Sequence, residues 1–363
     1  MRIITGILLL LALVLQTGCK DDPVDAGDLT HIEYAPVAYN LTVPEELPPL
    51  EQPDYNKLTV DGINLGRKLF YDPILSGDST MSCASCHMAS GSFTDNLAVS
   101  EGIDGIAGKR SAMSLLNVGF YYDGLFWDGR SATLEGQALL PVEDPVELHA
   151  TWPEVVDRLR SHPTYPEDFR KAFGIKNKSE ISRDYAAFAM AQFERIMISS
   201  GNSKFDRFLR GEIFLDDDEY NGYLMFFDDS PDLPDAECAH CHALPLFTTN
   251  EYLNNGLDNS ADFEGFSDMG RGEVTGDMTD NGRFRVPTLR NIAFSAPYMH
   301  DGRFETLEEV VDHYNSGGKQ SPNKDPLIYP INLSPKQKRD LVSFLHTLTD
   351  TAFMQNEALI NPF

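Results

Sequence analysis

An apolar run from Ile3 to Leu15, interrupted only by Thr5 and Gly6, follows a single cation, Arg2. It is too short to span a bilayer with ease and has the make-up of a secretory h-region, so residues 1–18 are expected to be a signal peptide. Polar and apolar positions show no period over 20–55, where Pro, Asp and Glu accumulate; this stretch is expected to be a flexible tether. Helical spacing then appears. From Ser179 to Ser199 the positions Ile181, Tyr185, Phe188, Ala189, Gln192, Phe193 and Ile196 fall on one face, which predicts an amphipathic helix. Thr306 to Glu309 and Ser334 to Gln337 are capping-box patterns, the second with Pro335 at the first helical position. Strand-like alternation is scarce, and the expectation is a mainly α protein.

Composition narrows the class. With 363 residues the chain can bury two cores, and 42% apolar with 23% charged residues is the balance of a globular protein. Against 29 basic residues stand 56 acidic ones, a net charge of −27, which leaves no electrostatic footprint for nucleic acid. After the leader, Gln16-Thr17-Gly18-Cys19 resembles the lipobox of bacterial lipoproteins, with Gln16 where Leu is usual. The resemblance implies a lipid on Cys19, residues 19–55 as a lipid-anchored tether, and an exported protein held at a periplasmic or outer-membrane surface.

Export makes disulfides the first expectation for five cysteines, but their positions argue otherwise. Beyond Cys19, all four fall into Cys83-Ala84-Ser85-Cys86-His87 and Cys238-Ala239-His240-Cys241-His242. Cys-x-x-Cys-His marks c-type haem attachment. On a helical segment, positions i, i+3 and i+4 share a face, so two thiols and one imidazole address the same planar ligand. Both thiols become thioethers, and His87 and His242 bind iron. Structural zinc would need four ligands where each cluster offers three, and no βαβ pattern supports a thioredoxin-like pair. His240 reads as exposed filler.

The two motifs sit in a repeated frame. Gly66-Arg67-Lys68-Leu69-Phe70 precedes the first as Gly222 to Phe227 precedes the second. Downstream, Ser114-Leu115-Leu116-Asn117 is echoed by Thr288-Leu289-Arg290-Asn291, and Asp128-Gly129-Arg130 by Asp301-Gly302-Arg303. The reading is two duplicated cytochrome-c-like haem domains, an N-terminal one over 56–204 and a C-terminal one over 205–363, to which the resemblance described next assigns peroxidatic and electron-transfer roles in that order.

The blocks LGRKLFYDPILSGD, CASCH, FTDN, GKR, FWDGR and DPVE, with RVPTLRNIAFSAPYMHDGRFETLEEVVDHY, resemble the bacterial di-haem cytochrome c peroxidase and MauG family over about four-fifths of the chain. The resemblance implies hydrogen peroxide as substrate, two covalently bound haem c groups, and electrons from a donor cytochrome c, cupredoxin or similar carrier. It leaves a homodimer open. The peroxidatic haem falls on Cys83, Cys86 and His87, with Gln137 and Glu147 in its distal pocket; an amide holds peroxide and a carboxylate moves its proton. Trp127 matches the aromatic residue between the haems. His149 is expected at the surface.

Three positions depart from the peroxidase branch. Ile103 stands where many members carry a distal His, so the first iron is expected to keep a free face. Tyr314 stands where peroxidases supply an axial Met, as in MauG-like members, with Met299 and His313 as local rivals. The family's calcium would fall to Ser111, Ser295 and Pro297; Ser in place of Asn removes a strong oxygen ligand, so only backbone carbonyls carry that expectation. The alternatives to a peroxidase are MauG-like oxidation of a partner protein and a non-catalytic di-haem electron carrier.

Overall fold

The computed structural model describes residues 26–363; the signal peptide and Cys19 lie outside the described residues. In chain order the helices are α1 (Val60–Tyr71), α2 (Cys83–Cys86), α3 (Leu134–Gln137), α4 (Leu140–Glu143), α5 (Trp152–Ser161), α6 (Tyr165–Phe173), α7 (Arg183–Arg195), α8 (Lys204–Leu209), α9 (Asp217–Phe226), α10 (Gly272–Thr275), α11 (Leu307–Asn315), α12 (Pro335–His346) and α13 (Thr351–Met354). Two short strands, β1 (Tyr252–Leu253) and β2 (Phe284–Arg285), pair antiparallel. The protein is mainly helical with one small sheet, and long loops carry much of the chain between helices.

Helix starts follow the predicted chemistry. Both capping boxes form, at Thr306–Glu309 and at Ser334–Gln337, where Pro335 opens α12. The amphipathic stretch beginning at Ser179 is shorter as a helix. Ser182 accepts from the Tyr185 N–H and so starts α7, while Asn177 and Glu180 cap a separate 3₁₀ turn just before it. Beyond Arg195 the apolar residues Ile196, Met197 and Ile198 stay buried outside the helix.

Two helix pairs organise the interior: α1 on α7, and α9 on α12. Each is drawn close at a glycine. A Cβ at Gly66 would collide with the Ala189 carbonyl, and one at Gly222 with the Asp340 carbonyl. Gly66→Ala and Gly222→Ala are each expected to cost about 1–3 kcal/mol, read as a lower denaturant midpoint, because the helices must part.

The same local conformations recur after each pair. Asn117 and Asn291 take positive φ of 61° and 59°. Their backbone N–H groups bond Met197 O at 2.7 Å and Leu348 O at 3.1 Å, just beyond α7 and α12. The turn from Leu125 to Ser131 and that from Tyr298 to Phe304 close with matching bridges, each around a positive-φ glycine, Gly129 and Gly302.

One expectation is corrected. The described part of the expected tether, 26–55, is laid along the protein rather than free. Leu29 N bonds Lys176 O at 2.8 Å and Tyr39 N bonds Leu58 O at 3.0 Å. Leu29 and Leu47 are buried, Leu47 beside Phe120, Ile198 and Leu246. A strap borrows its partners from other elements, so its apolar residues follow the surface beneath and show no period of their own. The chain's end also crosses back. Tyr71 Oη donates to Leu359 O at 2.7 Å, and Phe353 packs on Phe93 with centroids 5.5 Å apart.

Candidate functional site: two thiol–imidazole centres and a buried acid

The first Cys-x-x-Cys-His segment is helical. Cys83–Cys86 is α2, and the His87 N–H closes onto Cys83 O at 3.0 Å. The second makes a single turn outside any helix, with the equivalent bond from His242 N to Cys238 O at 2.9 Å. The shared bond brings two thiols and an imidazole to one side in both.

Each imidazole is prepared in the same way. His87 Nδ1 donates to Phe93 O at 2.9 Å, and His242 Nδ1 to Phe247 O at 3.1 Å. A carbonyl can only accept, so the proton is fixed on Nδ1 and Nε2 keeps its lone pair for a metal. Phe93 and Phe247 turn their carbonyls inward from positive φ, 63° and 55°. Burial lowers the His87 pKa and brings that of His242 down to about 4, so both rings stay neutral.

Burial drives the thiols the other way. Cys83 and Cys238 are pushed up to about 12, Cys86 and Cys241 to about 11. A redox-active thiol pair needs the opposite shift. All four are free of disulfides. Neutral thiols beside a neutral imidazole fit two haem groups, which would be held by Cys83, Cys86 and His87 and by Cys238, Cys241 and His242.

His242 opens on a cavity of about 220 Å³ lined also by Trp127, Asn255, Met299, His300 and Tyr314. A single water needs roughly 10–15 Å³ by this measure, so the space is built for something much larger. The three candidates for a second ligand separate here. His313 Nε2 bonds the Asn255 carbonyl at 2.9 Å, which occupies that nitrogen. Tyr314 Oη and Met299 Sδ both accept from the Asn255 amide, at 3.2 and 3.5 Å. Burial pushes the Tyr314 phenol up to about 12, so only a cation at its oxygen would draw the proton off.

Near the first thiol pair, Glu147 follows a tight turn, its N–H bonded to Asp144 O at 3.1 Å. The loop 100–108 docks on it through Ile103 N to Glu147 O at 3.0 Å. Any side chain at Gly102 would strike the carbonyls of Val146 and Glu147. His149 is exposed and pairs with Asp104 of the same loop at 2.5 Å. The loop thus brings Ile103, which has no ligating atom, up against Glu147. The Glu147 carboxyl is raised to about 6 by burial and by Asp144, against the pull of Arg130. Its charge acts on both Cys83 and Cys86, so it faces the first thiol pair.

Gln137 ends α3, half-buried, and its amide makes no hydrogen bond among the described residues. The helix beneath it is anchored by Glu135, which meets Arg195 at 2.7 Å and Asn56 at 2.7 Å. Burial works against the Glu135 charge, and these two bonds overcome it, holding its pKa below the usual carboxylate range. Sequence reasoning missed this buried network and Asn255; neither sits in a spacing that marks function.

Trp127 donates its indole N–H to Ser111 O at 3.0 Å and lines the second cavity. Both donors of Ser111 are engaged: its hydroxyl bonds Met299 O at 3.0 Å and its N–H bonds His300 O at 2.7 Å. Around Ser295 and Pro297, the Asn96 amide already takes the carbonyls of Phe294 and Ala296, at 2.7 and 2.8 Å. The Ser111 hydroxyl donates to a carbonyl and keeps its lone pairs, so the calcium expected from Ser111, Ser295 and Pro297 would draw on one neutral hydroxyl oxygen and backbone carbonyls, with no carboxylate among those three residues. Around the second thiol segment itself, Asp235, Glu237 and exposed His240 are the one group of three His and carboxylate side chains among the described residues close enough to share an ion.

The family model of di-haem cytochrome c peroxidase matches residues 60–213. Fold and site together thus define a helical haem-binding oxidoreductase. The chain is 33% identical to the methylamine utilization protein MauG of Methylorubrum extorquens, over 92% of this chain and 90% of that one. It is 34% identical to the cytochrome-c peroxidase IdrP1 of a Pseudomonas species, over 84% of each. The chain therefore belongs to the di-haem cytochrome c peroxidase and MauG family, oxidoreductases with peroxide as acceptor. A solved MauG-like protein associated with microbial copper homeostasis superposes with a TM-score of 0.79 at 35% identity, covering 90% of this chain and 99% of that one. The di-haem peroxidase BthA of Burkholderia thailandensis, at 24% identity and a TM-score of 0.70, shares the fold; 88% of this chain and 96% of that one are covered.

Proposed function

We propose that the protein is an exported di-haem c-type peroxidase that reduces hydrogen peroxide with electrons from a small redox carrier such as a cytochrome c or cupredoxin. Its two sites belong to duplicated cytochrome-c-like domains divided near residue 205, a reading supported by the paired helices, asparagines, turns and imidazole bonds described above. A periplasmic location, with lipid on Cys19, follows from the leader alone. Among the described residues no helix is long and apolar enough to cross a membrane.

The observation that carries this reading is at the first site. A neutral imidazole is prepared there as a ligand, and near its thiol pair stands a raised acid whose backbone is bonded by Ile103, a residue with no side-chain atom that can cap a metal. Haem c bound at both sites supplies two iron centres that exchange the two electrons of peroxide reduction. The Glu147 carboxylate takes the proton from the near oxygen of hydrogen peroxide and returns it to the far oxygen, which leaves as water. The Gln137 amide, free of protein partners, holds the peroxide. Trp127, its indole held by Ser111, serves as the aromatic link between the sites, and Tyr314 as the second ligand at the His242 site.

MauG-like oxidation of a partner protein is the second reading, favoured by Tyr314 and by the similarity to MauG and the MauG-like structure. The test is to add one equivalent of peroxide to the oxidised holoprotein, follow its absorbance, then add reduced cytochrome c. Rapid return with cytochrome oxidation is the expected result. A long-lived product indifferent to cytochrome c favours the second reading, and no response to peroxide leaves an electron carrier.

A further inference from the structure

Glu194 is the acid the proposed mechanism leaves unused. It lies near the end of α7, is only 6% exposed, and its Oε2 is enclosed with no hydrogen-bond partner. Burying a carboxyl without a partner is costly, and its neighbour Arg195 attracts it without fully offsetting that cost. Arg195 is engaged by Glu135 at 2.7 Å, and both of those side chains are buried themselves. The charges acting on Glu194 are Arg195 from its own helix and Glu135 from α3. Nothing charged on α1 or α6, the other helices packed on α7, reaches it.

What it does lie near is Cys83 of the first thiol pair. Of the charges acting on Cys83, Glu194 is the strongest, ahead of Cys86 three residues away and of Glu147. Cys83 itself packs between the two hydrophobic clusters built on α1 and α7. A buried carboxyl therefore lies close to the apolar edge at which a haem would be attached. Burial raises its pKa to about 8, so it can hold or release its proton close to neutrality.

We propose that Glu194 is the redox-linked proton acceptor of the first site: one electron delivered there by the carrier draws one solvent proton onto its carboxylate. The inference rests on the reading that Cys83, Cys86 and His87 hold a haem. In the step one O–H bond forms on Glu194 as one O–H bond of a solvent hydronium breaks, leaving water, and the electron entering offsets the proton. The cause is Coulombic. A cationic centre favours the carboxylate, and the loss of one positive charge on reduction removes that support in a medium where water screens little.

The test is a spectroelectrochemical titration of the holoprotein between pH 6 and 9, following the step assigned to the His87 site. In the unsubstituted protein its potential falls with rising pH by up to 59 mV per unit, since each pH unit is a tenfold change for a one-electron couple. In Glu194→Gln the potential is flat across that window. A slope surviving in Glu194→Gln overturns the proposal and moves the proton to another group. Should the variant not mature, an indicator dye reads proton uptake on reduction of the unsubstituted protein at pH 8. About one proton per electron at the first site is expected, and none overturns it. Failure of the underlying reading shows differently, as a chain that carries no covalent haem.

Discussion

Glu147→Gln is expected to react with hydrogen peroxide about 10²- to 10⁴-fold more slowly than the unsubstituted protein, the range that removing a positioned acid–base group produces. Gln matches Glu in shape and can still bond peroxide, but it cannot accept a proton. The loss should therefore fall on the bond-breaking step, while haem content and absorbance before peroxide stay as they were. The pH profile gives a second readout. The proton-accepting form is the carboxylate, and burial together with Asp144 raises the Glu147 pKa to about 6. The rate should rise with pH through about 6 and level off above it, and Glu147→Gln should show no such rise. Stopped-flow mixing from pH 5 to 8 measures both. A variant that keeps the full rate removes Glu147 from the mechanism.

Asp206→Ala is expected to lower stability by about 3–5 kcal/mol, the effect of stripping one partner from a buried ion pair. Arg290 meets both oxygens of Asp206 at 3.0 and 3.1 Å, and neither side chain is more than 2% exposed. The remaining Arg290 donors go to Pro245 O, at 3.0 and 2.9 Å. Asp206 also takes the Ser203 hydroxyl at 2.6 Å. Without the carboxylate, a guanidinium is left charged in the interior. Since a domain's net stability is about 5–15 kcal/mol, the change should be plain in a denaturant melt. Replacing both partners at once, Asp206→Leu with Arg290→Met, should recover most of the loss, because no unpaired charge remains. The pair joins α8 to the loop that leads from His242's surroundings to Asn291, so the single variant should also loosen the second site.

The two variants fall on opposite sides of what could be read without coordinates. The thiol and imidazole groups at 83, 86 and 87, and at 238, 241 and 242, were legible because their geometry is local; one backbone bond from His to Cys sets it. The capping boxes of α11 and α12 were legible for the same reason. Asp206 carried no such mark, since its partner lies 84 residues away. Nor did the strap at 26–55, whose Leu29 and Leu47 are buried by elements far along the chain.

The family resemblance supplied Glu147, Trp127 and Tyr314 as names, and the tertiary structure decided what each can do. Tyr314 and Met299 reach the Asn255 amide in the cavity while His313 is held at the Asn255 backbone, a selection that no spacing within Asp312 to Asn315 encodes. The acidity of Glu147, the isolation of Glu194 and the engagement of Ser111 are likewise sums over distant neighbours. The sequence by itself determined where a ligand is attached, because covalent reach spans a few residues. Only the tertiary structure decided which acids hold protons there, because burial and Coulomb interactions depend on everything that packs around them.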